Sequence, residues 1–401
     1  MNGEITEQPK AGLRAMPGGV WALGFVSLFM DISSEMIHGL LPVFLTSVLG
    51  ASTEMVGLIE GVGEATASIS KLFSGWLSDK LGKRKAITIV GYGLGTFSKP
   101  LFAIAPTAHL VLAARFSDRV GKGIRGAPRD AMVGDMVPSG QRGAAYGLRQ
   151  SLDTVGAFTG PLLAIALMAL LHDNFRLIFW IALIPGLISV AILIVAVHEP
   201  PHQASGAQAP LKLADLKTIG TAYWIVVGVG AVLTLARFSE AFLILRAQNA
   251  GLSLAFAPLV LVVMNIIYAL SSYPLGALSD RIDRKTMLAI GFATLSVADI
   301  VLAAAPTLTI VMIGVAIWGL HMGMTQGLLS ALVADEAPVR LRATAFGVFN
   351  FASGIALLVA SLIAGILWEQ IGPAATFIAG AAFSTLGLLA LFLTRRANPV
   401  K

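Results

Sequence analysis

Ionisable side chains recur at helical spacing inside stretches that are otherwise apolar. At about 100° per residue, Asp31, Glu35 and His38 share one face, and Glu60, Glu64 and Lys71 share another. A third stretch carries Arg115, Asp118, Arg119, Lys122, Arg125 and Arg129 within a narrow stripe, and a fourth carries Arg149, Gln150 and Asp153. Acids facing bases suit proton exchange, because burial favours the neutral carboxyl, a nearby cation favours the ionised one, and a solute can tip that balance. Glu35 and Glu64 are read as proton carriers with Arg119 as their switchable partner. Asp31, Asp153 and Glu240 complete the coupling set. The competing reading is a static ion-pair network that fixes helix packing. Two ligand chemistries also remain open. Asp31, Glu35, His38 and Glu64 offer oxygen and nitrogen donors to a divalent cation, with His321 as a further donor, whereas Lys71, Lys122, Arg125 and Arg149 offer positive charge to an anion. The solute cavity is therefore expected among Asp31, Glu35, His38, Glu60, Glu64, Lys122, Arg125, Arg149, Arg237, Asn265, His321 and Gln326.

The stretches that position these residues are membrane spans. Of 401 residues 56% are apolar and only 12% charged, and the mean hydropathy of +0.81 excludes an ordinary soluble domain. A charge at the bilayer centre costs about 2.5–3.5 kcal/mol, so the charged faces must point into the protein. With no cysteine, disulfides, thiolate metal sites and thiol catalysis are excluded. The opening residues, with Glu4, Glu7, Lys10 and Arg14, do not read as a cleavable signal peptide. A spanning helix needs about 20 mostly apolar residues. Cutting at polar and turn-forming breaks gives twelve, over 19–48, 54–78, 86–104, 109–134, 144–170, 175–197, 219–245, 253–278, 286–304, 308–334, 344–368 and 374–394.

The six excess positive charges lie on one side. Lys80, Lys83, Arg84, Lys85, Arg142, Lys212, Lys217, Arg281, Arg284, Lys285, Arg340 and Arg342 all fall after even-numbered spans, and Arg395, Arg396 and Lys401 follow the last. The opposite loops, such as Ala305-Pro306-Thr307, carry almost none. By the positive-inside rule both termini are expected in the cytoplasm, in a bacterial inner membrane.

Self-similarity at an offset of 200 or 201 residues reveals an internal repeat. Gly75-Trp76-Leu77-Ser78-Asp79-Lys80 recurs as Gly276-Ala277-Leu278-Ser279-Asp280-Arg281, Ala105-Pro106-Thr107 as Ala305-Pro306-Thr307, and the segment from Pro138 to Gly147 as that from Pro338 to Gly347. The expected fold is all-α: two pseudo-symmetric six-helix bundles over 19–197 and 219–394. A cytoplasmic segment at 1–18, a linker at 198–218 with Pro200, Pro201 and Pro210, and a tail at 395–401 complete the organisation. The repeat does not preserve the charges. Lys122, Arg125, Arg129 and Asp153 become Met322, Thr325, Leu329 and Ser353, and Glu64 becomes Asn265. Ser34-Glu35 and Ser239-Glu240 are shared, with Arg237 beside the second pair.

The run from Gly75 to Lys85 resembles the loop signature between the second and third helices of the major facilitator superfamily, and the resemblance extends over the whole chain. It implies alternating access, with a cytoplasmic gate drawn from Gly75, Asp79, Lys80, Gly82, Lys83, Arg84, Asp280 and Arg281. The second copy departs from the signature, with Asp283 in place of glycine. Arg119 to Ala127 resembles the fourth-helix pattern, with Lys122 replacing its glutamine. Gly147, Gly156, Gly160 and Pro161 resemble the fifth-helix pattern of proton-exchanging exporters, which implies proton-coupled efflux, although Ala164 and Ile165 replace its last glycines. Uptake by symport is the alternative. The stretches 31–38, 60–85 and 115–130 also resemble bacterial nickel-resistance permeases, whose histidine-rich tail has no counterpart in 395–401.

Enzymatic motifs do not compete with this reading. Gly91-Tyr92-Gly93-Leu94-Gly95 lies inside an apolar helix without the strand and fingerprint of a nucleotide loop, and no Walker, H-E-x-x-H or G-x-S-x-G pattern occurs. The expected protein is a transporter and not an enzyme, without cofactor. Its expected partners are a small solute or ion, protons and the lipid bilayer, with no nucleic acid, and it is expected to act as a monomer.

Overall fold

The computed structural model describes residues 16–138, 141–199, 219–279, 282–338 and 341–397; within these the side chains of several residues, Asp79 and Lys80 among them, lie outside the description. Asp280 and Arg281, two of the expected gate residues, also lie outside the described residues.

Twelve helical runs follow one another: α1 (Gly18–Val48), α2 (Thr53–Leu81), α3 (Arg84–Ile104), α4 (Ala108–Asp135), α5 (Arg142–Leu170), α6 (Phe175–Ala196), α7 (Thr221–Asn249), α8 (Leu259–Ser279), α9 (Arg284–Ala304), α10 (Leu308–Glu336), α11 (Arg342–Gln370) and α12 (Pro373–Ala397). Among the described residues nine are long and apolar enough to cross a membrane, and the exceptions are informative. In α2 and α4 the expected charges depress the hydropathy, and Glu60, Arg115, Asp118, Arg119 and Arg125 are all buried. The apolar part of α12 is short, Pro373–Leu389. Large apolar side chains such as Phe97, Leu170, Val195, Leu270 and Leu386 instead cover the outside, as hydrocarbon solvent requires.

The two bundles repeat their backbone contacts. A β-carbon built on Gly123 would lie 2.4 Å from Ser70 Cβ, and one on the repeat-related Gly323 would lie 2.2 Å from Ser271 Oγ. Gly91 likewise meets Arg125 of α4, and Gly291 meets Thr325 of α10. Small residues at both places let α4 and α10 approach their neighbours equally closely.

Between the bundles α2 packs against α11 along its length, whereas α5 meets α8 over a shorter stretch. A β-carbon on Gly61 would come 2.9 Å from Leu358 Cα, and one on Gly365 would come 2.5 Å from Thr53 O. At the end away from the basic loops, Glu369 Oε2 accepts from Thr53 N at 2.8 Å and Thr53 Oγ1 at 2.7 Å, and Gly39 abuts Pro258. The bundles are fastened there.

Three spans are not the continuous helices that the hydropathy predicts, and in α3 the helix Arg84–Phe97 is interrupted at Ser98 before Lys99–Ile104. In α1 the helix Gly18–His38 gives way near Pro42 to a π-helical turn, Phe44–Val48. In α7 the helix Thr221–Ala236 stops, and a second helix, Ala241–Asn249, starts after Arg237-Phe238-Ser239-Glu240. Ser239 supports that break: its Oγ accepts from Ala241 N at 3.2 Å, and its own N–H donates to Ser361 Oγ at 3.2 Å.

Candidate functional site

The charged faces of α1, α2 and α4 meet, as their periodicity predicts. Glu60 Oε2 accepts from Arg115 Nη2 at 2.6 Å and lies 3.8 Å from His38 Nε2. The other ring nitrogen of His38 is 3.3 Å from Glu35 Oε2, and Arg119 Nη1 lies 3.1 Å from Glu64 Oε1. Lys99, which the span-by-span reading overlooked, donates to Asp118 Oδ1 at 2.8 Å and to Ser34 Oγ at 3.1 Å. A lysine within an apolar span was itself the available signal.

Beside this network lies a cavity of about 460 Å³ bounded by both bundles. The first bundle contributes Glu35, His38, Glu60, Glu64, Arg119 and Lys122; the second contributes Arg237, Glu240, Asn265 and Gln326. Ser239, noted from the shared Ser-Glu pair, completes the wall with Phe238, Leu261, Leu357 and Ala157, which were not singled out from the sequence. Lys122 and Arg237 reach the cavity from opposite bundles, and neither has an ion pair within 4.0 Å among the described residues.

Four of the expected lining residues are placed elsewhere. His321 is fully buried on α10, with Nδ1 donating to Gly291 O at 2.9 Å. Arg125 lies over the Tyr92 ring, 4.9 Å from its centroid. Arg149 joins a separate group, with Nη1 3.4 Å and Nε 3.7 Å from Asp153 Oδ1 and Asp130 Oδ1 respectively. Asp31 lies where α1 packs on α5, its Cβ 3.1 Å from a β-carbon built on Gly156. The divalent-cation alternative loses its geometry here: among the described residues no three His, Asp or Glu groups converge.

The fifth-helix glycines have a packing role. A β-carbon on Gly156 would lie 2.5 Å from Leu28 O, and one on Gly160 would lie 2.8 Å from Glu35 Cβ, so these glycines seat the acidic face of α1 against α5. The signature turn is equally local. Gly82 ends α2 in the left-handed region at φ 61°, which favours glycine. Asp283 at the repeat-related position instead caps α9, its carboxylate accepting from Thr286 N at 3.1 Å. Arg84 pairs with Asp135, while Glu199 accepts from the amides of Arg84 and Lys85 at 2.8 and 2.9 Å. These contacts lie within the first repeat.

A family model described as Major Facilitator Superfamily matches residues 23–245 and 226–401. The chain is 32% identical over 387 residues to an uncharacterized MFS-type transporter of Methanocaldococcus jannaschii, covering 95% of this chain and 96% of the relative. It is 26% identical to the gentisate transporter of Corynebacterium glutamicum over 93% of this chain and 86% of that one. A quinolone resistance protein of Staphylococcus aureus is 24% identical over 54% of each chain. Among solved structures, the nucleoside transporter NupG superposes with a TM-score of 0.81 at 13% identity, covering 93% of this chain and 99% of that one.

Proposed function

This chain belongs to the major facilitator superfamily, and from that premise we propose that it carries a small organic anion together with a proton by alternating access. It acts in the bacterial inner membrane with both termini in the cytoplasm. The observation that carries this reading is the cavity in which Lys122 and Arg237, from opposite bundles and without ion pairs among the described residues, face the Glu64–Arg119 pair. Protonating Glu64 cancels its attraction for Arg119, which keeps its 3.8 Å pairing with Asp118, and makes the cavity more positive by one charge. An anion then binds more strongly to the protonated state, and by reciprocity the anion raises proton affinity. Positive linkage of that kind suits cotransport, in which proton and anion move together. The bundles rock about this site, with the Thr53–Glu369 contact closing one end and the basic loops at the other. The gentisate transporter, related over nearly the whole chain, is named for an organic anion.

Export by proton exchange is the second reading. It draws on the resemblance of α5 to exporters and on the quinolone resistance relative, but close packing of α1 on α5 accounts for two glycines of that pattern, Gly156 and Gly160, without exchange. Purified protein in liposomes enclosing a pH-sensitive dye separates the two. Gentisate added outside is expected to acidify the lumen, and Glu64→Gln to abolish the signal. Alkalinisation on adding gentisate or a quinolone would instead establish exchange and overturn cotransport.

A further inference from the structure

Among the described residues of the second bundle, one fully buried carboxyl does not line the cavity. Asp299 on α9 is fully buried, and neither carboxylate oxygen has a hydrogen-bond partner among the described residues. A β-carbon built on Gly380 of α12 would lie 2.5 Å from Asp299 Oδ2, 3.0 Å from Phe238 Cε1 and 3.1 Å from Ala236 O. The carboxyl and this carbonyl therefore border one gap that even a methyl group would overfill. Ala236 ends the first helix of α7, so its carbonyl lacks the amide that a continuous helix would supply. Phe238, which also lines the solute cavity, stands at the same gap.

Among the described residues the surroundings supply no counter-charge. From α7, Arg237 and Glu240 line the cavity, and Arg246 is turned to Leu302 O at 2.9 Å and Ala305 O. From α10, His321 is bonded to Gly291 O. The ionisable residues of α12, Arg395 and Arg396, stand fifteen or more residues beyond Gly380, about 22 Å along the helix. An unpaired carboxylate in such a place is far more costly than the neutral acid, which has one O–H to give and an unsatisfied carbonyl next to it.

We propose that Asp299 is a proton-binding site of the second bundle, holding its proton toward the Ala236 carbonyl and thereby stabilising the break in α7. The proposal rests on the proton-coupled reading and extends it: loss of this proton withdraws a donor from that carbonyl. Asp299 thus links proton occupancy to the segment that carries Arg237, Phe238 and Glu240 to the cavity. Phe238 sits between the cavity and the acid, so proton exchange requires that ring to move.

Infrared titration of the full chain in lipid tests the site without a transported solute. At pH 7 the carbonyl stretch of a protonated carboxyl is expected in the wild type, reduced by one group in Asp299→Asn, and retained in Glu64→Gln. Asp31→Asn is run alongside to identify any band from Asp31. Asp299→Glu, which keeps the acid, is expected to shift the band and guards against misfolding of the asparagine variant. An unchanged spectrum in Asp299→Asn would show an ionised carboxylate and overturn the proposal. A band that appears only when sodium is withdrawn would make the site a sodium site and overturn it equally. Failure of the liposome experiment alone would sink cotransport and leave this result standing, whereas failure here leaves the cavity reading intact.

Discussion

At repeat-related positions the two bundles have the same backbone and opposite chemistry. Gly123 against Ser70 and Gly323 against Ser271 are equivalent approaches of neighbouring helices. One turn away on the same helices, however, buried Arg119 pairs with Glu64, while its equivalent is the close-packed Gly319. Buried Arg115 likewise corresponds to buried Val315. Helix packing requires small residues at a few contact points and tolerates either chemistry elsewhere. The bundles have thus kept their shape while charge was concentrated in the first. The second retains Arg237 and Glu240 at a broken helix, and the isolated Asp299 behind it.

The strongest attempt to break this comparison is Arg115→Leu beside Val315→Ala. Removing Arg115 leaves Glu60 buried without its 2.6 Å donor and is expected to cost about 3–5 kcal/mol, against about 1–3 kcal/mol for the smaller apolar deletion. Thermal unfolding in detergent checks the ranking, and equal losses would mean that the pair adds no more than packing does. A smaller effect is expected where the bundles meet. Gly61→Leu forces a side chain into Leu358, with an overpacking penalty of about 1–3 kcal/mol, whereas nothing lies within 4 Å of a β-carbon on Gly147. Gly147→Leu should leave unfolding almost unchanged. Similar losses in both variants would show that the tight α2–α11 seam is not special. The smallest effect belongs to the exposed Glu369. Glu369→Ala is expected to cost about 1 kcal/mol or less while loosening the fastened end. As the chain has no native cysteine, alkylation of a single Ser52→Cys reports that loosening as a faster rate. An unchanged rate would remove the Thr53 contact from the closure.

Much of the architecture was legible because it depends on local pattern. The expected span 308–334 became Leu308–Glu336, and 344–368 became Arg342–Gln370, since apolar length and bounding polar residues act along a single helix. The inward direction of Glu60, Glu64 and Arg119 was legible for the same reason. His321 shows the limit: an ionisable group in a span can face a neighbouring backbone as readily as a cavity, and its depth and azimuth are properties of the assembled bundle. The break in α7 was hidden because Phe238 and Ser239 are compatible with an ordinary apolar span, and it depends on Ser361 from α11.

By itself, then, the sequence determined the helices, their repeat, the faces that carry charge and the membrane as their solvent, all of which follow from composition and a 3.6-residue period. Tertiary structure alone decided that Glu60 meets Arg115, that Lys122 and Arg237 share a cavity, and that Asp299 meets no charge at all. Periodicity orients a side chain about its own helix axis. Whether a partner stands opposite depends on how separate helices rotate and slide against one another, and the close approaches at residues such as Gly61 and Gly380 set that arrangement.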